Sequence, residues 1–178
     1  MKNLCRLLLA VSLVAGLAFG ASAKKNNDKT ISLTNKACNA TDAWAKTASK
    51  SMTIVIHEPA ADGNDEYEYK ETVTIHYDYA KDGTTPYPRL ISIDRNNHGS
   101  YYTEAYYYDP AGSHRLICAK VSYVEYGNPP ASESVYYFVD DEIIDYKNEW
   151  GFALSLADAK ARAAKMRALF NALASQMR

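Results

Sequence analysis

From Tyr67 to Tyr79 the chain alternates with a period of two. Tyr67, Tyr69, Val73, Ile75, Tyr77 and Tyr79 take one parity, while Glu68, Lys70, Thr72, Thr74, His76 and Asp78 take the other. Successive strand residues point to opposite sides of a sheet, so this pattern specifies a long antiparallel strand with one apolar and one wet face. Glu71 alone interrupts the apolar parity. Such a strand needs neighbours to bury its apolar face, and the surrounding chain supplies them. Met52–His57 precedes it, and Arg89–Arg95, Tyr101–Tyr108 and Arg115–Tyr126 follow. Val135–Val139 and Ile143–Lys147 then form a tight hairpin across Asp140, Asp141 and Glu142.

Turn-forming clusters separate these runs: Asp62-Gly63-Asn64-Asp65, Lys81-Asp82-Gly83 with Pro86 and Pro88, Asn96-Asn97-His98-Gly99, Asp109-Pro110-Ala111-Gly112, and Gly127-Asn128-Pro129-Pro130. About seven strands, each beside its neighbour in sequence, favour a meander. In the fifth, Ile117, Ala119, Val121 and Tyr123 are expected to share a face.

The period changes at both ends of the chain. Ala37, Thr41, Trp44, Ala45 and Ala48 recur at helical spacing and predict a short helix over Thr34–Lys50 that buries Trp44; residues 24–33, polar and basic, read as a flexible arm. Near the C-terminus Leu156, Ala159, Ala163, Met166, Phe170, Leu173 and Met177 follow a 3-4-3-4 spacing, an apolar stripe on one helix. Ser155 with Asp158 three residues on fits its start. The expectation is an α+β fold: a curved antiparallel meander of about six to eight strands, a short N-terminal helix, and a C-terminal amphipathic helix packed on the sheet. Residues 34–178 form its single domain.

Residues 1–23 read as a signal peptide. Lys2 and Arg6 precede the apolar run Leu7–Phe19, and Ala21-Ser22-Ala23 supplies a small-residue cleavage triplet. The run is shorter than the roughly 20 residues that a bilayer span requires, so no stable membrane span is expected. The expected location is the periplasm or exterior of a Gram-negative bacterium, for a chain starting at Lys24 with 178 − 23 = 155 residues.

That mature chain carries 18 basic and 21 acidic side chains, net −3, which argues against nucleic acid as a partner. The charge is uneven. Residues 58–149 hold 18 acids against 7 bases, whereas residues 24–57 and 155–178 are each +4. An acidic sheet flanked by compensating basic helices accounts for this, and an acidic face that steers a basic protein is the alternative. The mature chain retains two cysteines, Cys38 and Cys118. In an oxidising compartment they are candidates for a disulfide, and two buried free thiols are the competing reading.

All fifteen tyrosines lie between Tyr67 and Tyr146, several of them in runs: Tyr101-Tyr102, Tyr106-Tyr107-Tyr108 and Tyr136-Tyr137. A run places rings on both sides of a sheet. Either one side is an exposed recognition surface, with Tyr102, Tyr106, Tyr108 and Tyr136 as the ligand-binding set (or Tyr101 and Tyr107 on the opposite side), or both faces are covered. No chemistry stands out beside this. His76 and Asp78 share a strand face and His57 ends a neighbouring strand, but a metal needs three or four ligands. Acids such as Glu66, Glu68 and Glu71, or Asp140, Asp141 and Glu142, could pair for glycoside hydrolysis. No nucleophile elbow, phosphate loop, dinucleotide fingerprint or zinc-protease motif occurs. Neither a cofactor nor a metal is expected.

Tyr106-Tyr107-Tyr108-Asp109 and the segment Tyr136–Ile144 resemble Tyr-rich hairpins of secreted, mostly uncharacterised proteins of gut-type Bacteroidetes. The resemblance implies a periplasmic or secreted accessory protein and carries over no catalytic residue. The functional expectation is an exported, non-enzymatic binding protein, a monomer whose partner is a protein, a glycan or a small apolar molecule. The alternatives are a lipocalin-like carrier, by analogy with a meander that ends in a helix, and an envelope hydrolase.

Overall fold

The computed structural model describes residues 27–48, 50–58, 69–97, 100–125, 128–148 and 154–175. Residues 1–23, and with them the expected signal peptide, lie outside that set, as do Glu66 and Glu68. A first helix, α1, spans residues 27–45. Seven strands follow: β1 (Ser51–Glu58), β2 (Tyr69–Tyr79), β3 (Pro86–Asn97), β4 (Ser100–Tyr108), β5 (Leu116–Glu125), β6 (Asn128–Val139) and β7 (Glu142–Asn148). A second helix, α2 (Leu156–Ala174), closes the chain. The strands form one open antiparallel sheet in sequence order, the α+β meander expected.

The two helices take opposite faces of that sheet. Val73, Ile75, Ile91, Ile93, Tyr106, Tyr108, Ala119, Val121, Tyr136 and Phe138 pack against Ala159, Ala163, Met166 and Phe170 of α2. Leu90, Tyr107, Cys118, Val135 and Tyr137 pack against Ile31 and Cys38 of α1. Each α2 residue belongs to the predicted stripe, and the Ser155 hydroxyl accepts the Asp158 N–H at 3.1 Å, as the capping pattern requires. Leu156, the first residue of the stripe, stays exposed.

Helix α1 differs from the expectation at both ends. It is already helical at residue 27, within the expected arm, because Ile31 and Thr34 extend the buried spacing that Cys38, Thr41 and Ala45 continue. It stops at residue 45, where a turn follows and the Thr47 hydroxyl donates to the Trp44 carbonyl. The helix runs across the strands. Asn35 accepts from the Tyr137 hydroxyl on β6 at 3.1 Å, Cys38 meets Cys118 on β5, Asp42 is hydrogen-bonded to Tyr107 on β4, and Trp44 packs edge-on against His76 of β2. A helical turn of about 5.4 Å nearly matches the strand spacing of about 4.8 Å, so successive turns of α1 meet successive strands.

Three register shifts fall along one line across the sheet, at His76/Tyr77, Tyr107/Tyr108 and Tyr137/Phe138. Opposite them, Arg89, Ile117 and Ile144 are the unpaired extra residues. A bulge lets two consecutive residues share a side, and all three extras serve the α1 face: Ile117 and Ile144 pack on its core, while the Arg89 guanidinium sits 4.1 Å above the Trp44 ring. The expected common face in β5 is therefore corrected. Ala119 and Val121 point to α2, whereas Ile117 points to α1.

Pro86 and Pro88, expected in a loop, begin β3. They lie before the first residue of β3 that pairs with β4, Leu90, so β3 is an edge there and a missing N–H costs no ladder bond on that side. Pro129 and Pro130 likewise fall in the part of β6 that β7 does not reach.

Candidate functional site

The predicted tyrosine set does not form an open face. Tyr106, Tyr108 and Tyr136 are buried beneath α2, each no more than 1% exposed. Tyr107 and Tyr137 are buried beneath α1, and Tyr102 is half-buried. Of the two readings of the tyrosine runs, the structure takes the covered one, since each side of the sheet has its own helix. Tyr101, at 52% exposed, is the ring in these runs that faces solvent.

The buried rings still converge on a polar cluster. On the α2 face, Glu71, Arg95 and Tyr102 lie side by side on β2, β3 and β4, and Ile93, Glu104 and Val121 form the next row. Arg95 bonds Glu71 at 2.5 Å and Glu104 at 2.9 Å. Arg162 of α2 also pairs with Glu104 and donates to the Tyr102 hydroxyl at 2.7 Å. The Tyr106 hydroxyl donates to the second Glu104 oxygen. The Glu104 side chain is 1% exposed, so two guanidiniums and a phenol replace its water. Burial, reinforced by the nearby Glu104 charge, pushes the Tyr102 and Tyr106 hydroxyls far above their ordinary range and keeps them as proton donors. Two acids balance two bases, and together they tie the middle of α2 to the sheet.

The sequence carried one sign of this cluster, the interruption at Glu71. Arg95 and Glu104 were missed. Each occupies the apolar parity of its own strand, and three such interruptions on adjacent strands become one cluster only when the register aligns them.

On either side of Arg162 along α2, Lys160 pairs with Glu142 and Arg167 with Asp141 of the β6–β7 hairpin, while Arg115 reaches Asp140 at 3.3 Å. The basic helix thus compensates sheet acids, and Asp140, Asp141 and Glu142 are each taken by a cation. A cavity of about 230 Å3 lies behind this hairpin, lined by Leu116, Phe138, Ala163 and the Arg167 side chain among others. A second, of about 180 Å3, lies between Pro86, His114 and Phe170.

His76 and Asp78 do not act together. His76 packs on Trp44, where burial lowers its pKa, while Asp78 binds Lys50 at 3.4 Å and its own neighbour's N–H. The His57 side chain lies outside the described residues. Among the described residues no group of three His, Cys, Asp or Glu is placed to hold a metal ion. No described helix is long and apolar enough to cross a membrane.

Beyond α1, no other element among the described residues covers the rest of its face. One row in register across six strands reads Val55, Thr72, Asp94, Thr103, Ser122 and Glu133. Val55, Asp94 and Glu133 are exposed, and the three hydroxyl residues between them are half-buried. Thr53, Thr74 and Ser92 occupy the adjoining row toward α1, and Tyr101 with Val124 lies on the other side. The result is a band of short hydroxyl side chains with acids in it and an exposed ring along one edge. It offers hydrogen-bond donors and acceptors at the strand spacing of about 4.8 Å. No family model, curated protein or solved structure matches the chain.

Proposed function

We propose that this chain is an exported, non-enzymatic binding protein and that its contact surface is the hydroxyl-rich band of the sheet that α1 leaves open. The observation that carries the reading is the in-register row Val55, Thr72, Asp94, Thr103, Ser122 and Glu133, with Tyr101 beside it. Short polar side chains on a pleated surface lose little rotamer entropy when a ligand immobilises them. An exposed Tyr adds rigid area and a hydroxyl. The surface therefore suits an extended polar ligand. Export is supported by the charged, apolar and small-residue order of residues 1–23 and by the likeness of the Tyr-rich hairpins to secreted proteins.

The carrier alternative gains nothing from the fold. The sheet is open, α2 packs on one face, and the two cavities among the described residues are smaller than the 300–1,000 Å3 typical of small-molecule sites. The test has two parts. Intact mass of the protein from its native envelope should correspond to a chain beginning at Lys24. Native mass spectrometry of that preparation should detect a bound polar molecule that is lost from the Thr103→Arg, Ser122→Arg variant and weakened by Tyr101→Ala. Retention of the ligand by the doubly substituted protein would refute the surface.

A further inference from the structure

We propose that Cys38 and Cys118 are a disulfide-forming pair that staples α1 to the centre of the sheet in the exported protein. The proposal rests on the export reading for its oxidising surroundings and on the fold for its geometry.

The two residues are 80 positions apart, 118 − 38, yet their thiols are in hydrogen-bonding contact. Both are fully buried within the α1-side core. Cys118 sits between Tyr107 and Tyr137 on the neighbouring strands, and Cys38 is the residue of α1 directly over it. The staple would act where apolar anchoring is thin. Helix α2 buries Met166 and Phe170 and is tied down by Arg162 and Arg167, whereas α1 buries Ile31, Cys38 and two threonines, and the Thr41 hydroxyl has no partner. A covalent link at the midpoint of α1 restrains both of its halves.

The chemistry is thiol–disulfide exchange, with a protein or glutathione disulfide as oxidant. One cysteine thiolate attacks a sulfur of that disulfide, forms a mixed disulfide and expels one thiol. The second thiolate then attacks the cysteine sulfur of the mixed disulfide, closes Cys38–Cys118 and expels the other thiol. Two protein thiols are oxidised, one external disulfide is reduced to two thiols, and the two protons lost from the protein thiols end on the two leaving thiolates. In the docked state the hydrogen bond from Cys118 and the nearby Lys120 charge lower the Cys38 pKa, whereas the same contact and burial raise that of Cys118. Neither sulfur is open to an oxidant once α1 has docked, so exchange belongs to folding or to transient opening of the helix.

Two measurements test this. In the first, protein from the native envelope is unfolded with N-ethylmaleimide and no reductant, then weighed intact. The expected species begins at Lys24, carries no adduct and is lighter by two hydrogens than the reduced chain. A cleaved chain with adducts on both thiols overturns the staple. In the second, the purified, reduced chain is exposed to oxidised glutathione. Closure within the monomer, faster in mild urea, supports the pair even if the cellular protein keeps residues 1–23 and stays reduced, an outcome that would instead refute export. Stable glutathione adducts or disulfide-linked dimers overturn the pair. Reductant should lower the urea midpoint of the oxidised wild type and leave that of the Cys38→Ala, Cys118→Ala variant unchanged.

Discussion

Replacing Glu104 with Gln tests the buried cluster most sharply. The substitution keeps the shape of the side chain and removes its charge. In the native protein the carboxylate accepts from Arg95, Arg162 and Tyr106, with only 1% of its side chain exposed. Gln retains one carbonyl acceptor, and its amide turns two donors toward groups that are themselves donors. Arg95 keeps Glu71 and Arg162 keeps the Tyr102 hydroxyl, but both lose the carboxylate they share beneath α2. A hydrogen bond to a charged group contributes about 1.5–3 kcal/mol, and at least one such bond is lost outright while the others weaken. Breaking one side of a buried ion pair costs about 3–5 kcal/mol, which sets the expected loss. For a domain of this size that corresponds to a fall of roughly 6–20 °C in melting temperature. Urea unfolding followed by circular dichroism would measure it, with an unchanged slope confirming that the unfolded state is the same. The control is Glu142→Gln, whose ion pair with Lys160 is largely exposed and is expected to cost under about 1 kcal/mol. If the two variants lose equally little, Glu104 does not hold α2 to the sheet.

Three further outcomes follow from the same geometry. Gly112 has φ +82°, and a Cβ there would lie 3.3 Å from the Tyr87 ring, whose hydroxyl is pinned to the Pro110 carbonyl. Gly112→Ala should therefore cost about 1–2 kcal/mol from backbone strain plus the ring contact, and should exceed Gly83→Ala, where φ is +72° with open space, in thermal melts. Phe170→Ala should cost about 3–5 kcal/mol because it empties the buried end of the α2 stripe, whereas Leu156→Ala, at the exposed end, should stay within about 0.5 kcal/mol. Asp82 accepts from the Thr85 hydroxyl and from the Thr85 and Thr84 N–H groups, which holds its carboxyl down at about 2. A depressed folded value means a contribution present above the unfolded pKa of about 3.9 and lost as pH falls toward about 2. A carboxyl NMR titration should show that low midpoint in the wild type and a rise in Thr85→Val. A wild-type midpoint near 4 would refute the capping account.

Local periodicity decided most of the architecture. Alternation across Tyr67–Tyr79 and the turn clusters beyond it were enough to order the strands, since short antiparallel connections leave a meander as the simple pairing. The 3-4 spacing from Leu156, with Ser155 before it, likewise located α2 and its buried face. These are properties of adjacent residues, legible without a partner. Position relative to the other elements was not. That α1 and α2 occupy opposite faces, and so close the tyrosine runs on both sides, depends on which apolar stripe each face offers. The bulges that hand Arg89, Ile117 and Ile144 to α1 shift parity at single residues, an effect that alternation alone cannot register. Arg95 and Glu104 read as isolated polar interruptions until strand register sets them beside Glu71 and under Arg162. Cys38 and Cys118 meet only because a helix crossing the strands brings one of its turns over β5. In each case the deciding quantity is a contact between distant segments, which arises when the whole sheet and both helices bury their apolar surfaces together.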